Sequence, residues 1–266
     1  MTASTATVLP RREHSGPTPG VDVEALTSVP VLGGHASDGE PSAALFLWAH
    51  GRYRDDYEFE LHRHEGLEIL TVVLDGTMSH YDTATGRWAA LHAGDYQMMW
   101  SGPGISHIER AAQGTRGFQI QFDPGHDVAS RQHPSYRDYP AASFTARPAG
   151  DALVTDIIGG SGPIETRTQG LSVRRVTVPT GSQAVLEAGA DRVTLAYVID
   201  GAAAINGAQA RGDDVISLNG ASSMTVEATE PTDVLVVSVP ASPSYQPRQW
   251  DPRQQGAGRP APPWQR

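Results

Sequence analysis

The sequence predicts an all-β protein, two copies of an antiparallel β-barrel or sandwich in one chain. Three observations carry this. Short runs of β-branched and aromatic residues recur between turn signals such as Asp75-Gly76, Ala93-Gly94-Asp95 and Ser101-Gly102-Pro103-Gly104, the spacing of an antiparallel barrel or sandwich. Leu70-Thr71-Val72-Val73-Leu74-Asp75-Gly76 resembles Leu195-Ala196-Tyr197-Val198-Ile199-Asp200-Gly201, and each copy is followed by a strand and then a Gly-Asp pair, Gly94-Asp95 and Gly212-Asp213. Such a repeat indicates two copies of one β unit. The length, 266 residues with 39% hydrophobic, suffices for two modest domains with real cores.

Taken in order, residues 1–30 are rich in Ser, Thr, Pro and Gly and read as a loose arm or an edge segment. Ala43 to Trp48 is a short apolar run expected as a buried strand. Arg52 to Glu58 is charged and expected as a loop. Ile69 to Leu74, Thr77 to Tyr81, Trp88 to His92, Tyr96 to Trp100 and Gly117 to Phe122 complete a first strand series. Asp123 to Pro140 is polar and reads as loop, and residues 141–162 hold a few extended pieces. Leu171 to Val178, Val193 to Ile199, Ala202 to Ile205, Val215 to Leu218, Ser223 to Glu227 and Val234 to Val239 form the second series. The organisation expected is an arm at 1–30, a first barrel at 31–140, a second at 141–240 and a Pro-rich tail at 241–266.

Composition narrows the chemistry. The formal net charge is −10 and all 20 basic residues are Arg, which argues against binding nucleic acid or an anionic membrane surface. Without Lys there is no phosphate loop of the Gly-Lys-Ser/Thr kind. Without Cys there is no disulfide, thiolate nucleophile or Cys-based zinc site. No apolar run approaches a membrane span and no secretory leader is apparent, so the expected compartment is the cytoplasm. One chain carrying both barrels makes a monomer the simplest expectation.

The site candidates follow from strand geometry. Residues i and i+2 of a strand share a face, so His62 and His64 can point together, as can His107 and Glu109. Paired strands would converge three imidazoles and a carboxylate, a set suited to a divalent first-row transition metal with open positions. All ten His lie between His14 and His133, so the second barrel cannot hold a His-based site. Glu68, four residues after His64, is the rival carboxylate and is expected behind the ligands or in a structural role. His80 and His92 are expected as structural or hydrogen-bonding partners; His50, His126 and His133 as solvated loop residues; Met98, Met99 and Trp100 as core; Asp95 as a turn residue.

The stretches His62-Arg63-His64-Glu65-Gly66-Leu67-Glu68, Val73-Leu74-Asp75-Gly76, His80-Tyr81-Asp82, Ala93 to Met99 and Gly104 to Glu109 resemble the pirin family of bicupins. The resemblance covers roughly residues 43–122, and the later half follows the family's second cupin in pattern. The family's closing Met-Asn-Thr segment is replaced here by the Pro-rich tail. The resemblance implies a bicupin, two antiparallel β-barrels of the jelly-roll kind in one chain, with one metal in the first barrel held by His62, His64, His107 and Glu109. It implies an Fe(II)-dependent dioxygenase of the quercetin 2,3-dioxygenase type, with a flavonol-like or enolic substrate and O2, and Glu109 as the base. Mn, Ni, Co, Cu or Zn are the alternative metals. A metal- or redox-responsive regulator with a protein partner, or a tailoring or cyclisation enzyme of secondary metabolism, are the alternative functions.

Overall fold

The computed structural model describes residues 5–9, 21–27 and 44–247; most of the Pro-rich tail lies outside the described residues. In chain order the strands are β1 (Thr5–Leu9), β2 (Val21–Thr27), β3 (Leu45–Tyr53), β4 (Tyr57–His64), β5 (Glu68–Asp75), β6 (Thr77–Asp82), β7 (Trp88–His92), β8 (Tyr96–Trp100), β9 (Ile105–Ala111), β10 (Arg116–Phe122), β11 (Ser135–Tyr139), β12 (Ala146–Ala149), β13 (Ala152–Ile158), β14 (Ser172–Val178), β15 (Gln183–Glu187), β16 (Arg192–Asp200), β17 (Ala202–Ile205), β18 (Ala208–Arg211), β19 (Val215–Asn219), β20 (Ser223–Ala228) and β21 (Thr232–Pro240). One short helix, α1 (His126–Ala129), precedes β11. Among the described residues no helix is long and apolar enough to cross a membrane.

The chain divides into two compact units, each with two antiparallel sheets. The His-bearing unit has a six-stranded sheet, ordered β11-β8-β5-β10-β3-β2, and a four-stranded sheet, β4-β9-β6-β7. β5 is central in the first sheet, and Glu68 to Leu74 are buried on both of its faces. That explains why its sequence is a β-branched run without alternation. Among the described residues β4 closes one edge of the small sheet and is paired with β9 alone. The apolar core here includes a cluster around Leu47, Ile69 and Met99 and another of Val73, Met78 and Leu91. His80, Asp82, Gln97, His107, Glu109 and Gln121 are buried too.

The other unit has a seven-stranded sheet, β1-β19-β16-β21-β14-β13-β12, and a four-stranded sheet, β15-β20-β17-β18. Its core includes an aliphatic cluster with Val154, Val176, Val198, Ile205, Ile216, Leu218, Met224 and Val226. Both strands of the N-terminal stretch take sheet-edge places, β1 beside β19 and β2 beside β3.

The repeat is real, with its register adjusted. Gly76 and Gly201 both adopt left-handed backbone, at φ 77 and 88. A Cβ there would strike Thr115 in the first copy and the Pro231 carbonyl in the second. The later turns align Gly94 with Asp213 and Asp95 with Asp214, one residue away from the Gly-Asp to Gly-Asp match. Gly94 N–H donates to the Val73 carbonyl and Asp213 N–H to the Val198 carbonyl. The Asp95 carboxylate accepts from His92 N–H, and that of Asp214 from Arg211 N–H. Asp213 therefore occupies a glycine's place at φ 74.

Three expectations are corrected. Arg52 to Glu58 is mostly strand, since β3 continues to Tyr53 and β4 begins at Tyr57. Asp123 to Pro140 holds α1 and β11, and β11 extends the large sheet along β8. β15 and β18 were absent from the expected series: Gln183–Glu187 and Ala208–Arg211 are short, broken or bounded by polar residues, and hold one β-branched residue between them.

Candidate metal centre

β9 runs between β4 and β6 and presents His107 and Glu109 inward, at 1% and 4% exposure. His62 of β4 lies directly opposite His107, and His80 of β6 lies directly opposite Glu109, with Asp82 opposite His107. Opposed residues of an antiparallel pair point to the same face. The three strands thus bring four imidazoles and two carboxylates to one wall.

β4 reaches this arrangement through a bulge. Tyr57 and Phe59 are inward, and a strict period of two would then turn His62 and His64 outward. The register slips between Phe59 and His62, three residue steps on β4 against two on β9. This resets the parity and leaves Leu61 56% exposed. The bulge also aims the Glu60 carbonyl at His62 Nδ1, 2.8 Å away. A carbonyl only accepts, so Nδ1 carries the proton and the His62 Nε2 lone pair faces the site.

The turn before β9 is equally constrained. Gly102 has φ 53, and a Cβ there would come within 2.3 Å of the Gln132 carbonyl oxygen. The Arg63 guanidinium donates to the Pro103 carbonyl and pairs with Glu65 at 2.5 Å, tying the end of β4 to this turn.

His62, His64 and His107 each offer a ring nitrogen, all within 4.8 Å of one another. His62 Nε2 and His107 Nε2 are 2.8 Å apart. Glu109 lies beside this group, its Oε2 4.0 Å from His107 Nε2. It falls with His80 and His107 in a second set of the same span. Gln119 of β10 donates from Nε2 to both Glu109 oxygens, at 2.9 Å each, and its own carbonyl accepts from Gln121 at 3.0 Å. Burial lowers the His80 pKa, against the opposing pull of Glu109, Asp82 and Asp138. Burial raises that of Tyr53, and Glu109 adds to it, so the Tyr53 phenol keeps its proton.

A cavity of about 40 Å³ opens beside the donors. His62, Glu109 and Gln119 form its polar side; Ala49, Gly51, Tyr53, Phe59, Met78 and Phe118 form the rest. Gly51 and Gly117 keep it open: a Cβ on Gly51 would meet the Tyr53 ring at 2.7 Å, and one on Gly117 the Val72 carbonyl at 2.5 Å.

Glu68 is buried at the start of β5, opposite Trp100 and Phe122, and joins neither donor set. His92 is exposed, its Nδ1 3.3 Å from Thr77 Oγ1. Met98 and Met99 are core, and Asp95 caps its turn. His133 is an exposed loop residue and His126 opens α1 half-buried. His50 corrects the sequence reading: it is fully buried in β3 and stacks on Phe118 with ring centroids 4.5 Å apart. Gln119 and Tyr53 went unforeseen. The alternation Phe118-Gln119-Ile120-Gln121-Phe122 ordinarily sends glutamines to solvent, whereas here both faces of β10 are covered.

Residues 43–122 match the family model described as Pirin. Quercetin 2,3-dioxygenase of Escherichia coli K12 is 27% identical over 185 residues, 68% of this chain and 76% of that protein. A pirin-like protein of Caulobacter vibrioides is 26% identical over 204 residues, 73% of this chain and 82% of that one. The solved bacterial pirin of Escherichia coli in complex with nickel(II) shares the fold, with TM-score 0.71 at 21% identity over 89% of this chain and 99% of its own.

Proposed function

We propose, from the premise that this chain carries a pirin-family domain at residues 43–122, that it is a metal-dependent dioxygenase acting on a flavonol-like or enolic aromatic substrate. One observation supports this above the others: His62, His64 and His107 converge next to a Gln119-held carboxylate on the wall of a mostly apolar cavity. The donor set fits a divalent first-row metal. Two nitrogens at ~2.1 Å from one ion and at right angles stand ~3 Å apart, and His62 and His107 already hold theirs at 2.8 Å. His62, His64, His107 and Glu109 would hold the ion, with Fe(II) favoured. Bound there, the metal supplies Lewis acidity toward a substrate oxygen and redox access to O2.

The protein's part is positioning and proton handling. Room for about three waters admits the acidic edge of an aromatic ring system while its body stays at the mouth. Glu109, with both oxygens fixed by one amide, accepts the proton of the incoming enolic hydroxyl. The Tyr53 phenol, protonated beside it, donates to a substrate oxygen. Phe59, Phe118 and Met78 exclude water from the reacting edge. In the net change both atoms of O2 enter the flavonol heterocycle, which opens with loss of carbon monoxide.

The test is anaerobic loading with Fe(II), then quercetin and air, followed by absorbance. Metal-dependent loss of quercetin that disappears in His107→Ala supports the proposal. Equal rates in parent and His107→Ala, or no loss at all, refutes it.

A further inference from the structure

We propose that His80 is a fifth donor of the metal centre, on the far side of His107 and Glu109 from His62 and His64; this rests on the metal-site reading above. β6 sets His80 directly opposite Glu109 in the ladder. Its ring lies 5.2 Å from that of His107, centroid to centroid. A His80 nitrogen, a His107 nitrogen and a Glu109 oxygen all lie within 4.8 Å of one another. The side chain is 3% exposed, and neither ring nitrogen has a hydrogen-bond partner. A neutral imidazole so deeply buried ordinarily satisfies at least one nitrogen. Its neighbours do not supply the bond. Asp82 stands 3.6 Å from His80 Nε2, and its oxygens accept from Ala84 N–H, Thr85 N–H and Thr85 Oγ1. Asp138 accepts from Gln97, and the Tyr136 ring packs 5.1 Å away. The geometry is that of a metal ligand.

His107 is therefore common to two donor sets, one completed by His62 and His64 of β4 and the other by Glu109 on its own strand and His80 of β6. An ion drawn toward β6 gains an imidazole, and six-coordinate metals that favour nitrogen gain most. The consequence is a centre with four nitrogen donors, not three, and one coordination position fewer for substrate and O2.

Protein labelled with ¹⁵N-histidine, titrated with Zn(II) to one equivalent, decides this by ring-nitrogen NMR. Four imidazoles shifting to metal-bound resonances is the expected result, with His80→Gln removing one of the four and weakening Zn(II) binding about tenfold or more. Three shifting imidazoles, unchanged by His80→Gln, overturns the fifth donor and leaves the metal-site reading standing. No shifting imidazole at all sinks both. Counting resonances in the parent protein decides the question even where the variant fails to fold.

Discussion

Gln119→Leu probes the link between the cavity wall and the carboxylate. The substitution keeps the side-chain volume roughly and removes the one amide that donates to both Glu109 oxygens. Both contacts leave the same nitrogen, so they count as one shared bond to a charged acceptor, worth about 1.5–3 kcal/mol. Glu109 is 4% exposed, so water replaces the bond poorly. At 1.4 kcal/mol per decade, that loss is roughly 10- to 100-fold in metal affinity, the range that removal of a ligand's supporting partner ordinarily produces. The assay is calorimetric titration with Co(II) or Ni(II), run beside thermal melts of the metal-free proteins. The melts separate loss of fold from loss of aim. Parent-like affinity, within twofold, in a folded Gln119→Leu protein would show that the amide does not position Glu109.

Deleting Leu61 leaves two residue steps on β4 against two on β9, so the bulge is lost while His62 and His64 keep facing inward; metal affinity in calorimetric titration falls only by the loss of the Glu60 carbonyl bond to His62 Nδ1, about tenfold, and β-sheet circular dichroism persists. Ile216→Ala, in the filled core of the second unit, costs about 2–5 kcal/mol in denaturant unfolding and leaves the metal affinity of the folded protein unchanged. Burial works to raise the Asp156 carboxyl, but bonds from Ser161 N–H and Oγ and the Arg147 guanidinium beside it outweigh that and hold it below the ordinary aspartate range. A depressed carboxylate stabilises above its unfolded pKa and loses that contribution as pH falls through the folded one. The melting-temperature gap between parent and Asp156→Asn should therefore be full at pH 5–7 and narrow as the pH falls below the ordinary aspartate pKa of about 4.

The sequence carried the parity of the ligands and little of what aims them. His-x-His and His-x-Glu need only the period of a strand to be legible, and β6, β7 and β8 were readable from their turns. The bulge was not, because nothing in Phe59-Glu60-Leu61-His62 marks an extra residue. Nor was Gln119, since inward glutamines look like outward ones until both faces of β10 are known to be covered. His50 failed for a related reason: a His beside Gly51-Arg52 reads as loop, and only pairing with β10 makes it core. The repeat was found, but the substitution of Asp213 for a glycine hid its true register.

Among the described residues β4 has a neighbour on one side only, and that strand brings two of the imidazoles. Its attachment to the sheet is consequently weaker than that of β9, and an ion bridging the two would act as a rivet across the seam. Amide exchange in β4 should be fast in the stripped protein and slow once loaded, so that the same few residues report both occupancy and the integrity of the sheet margin.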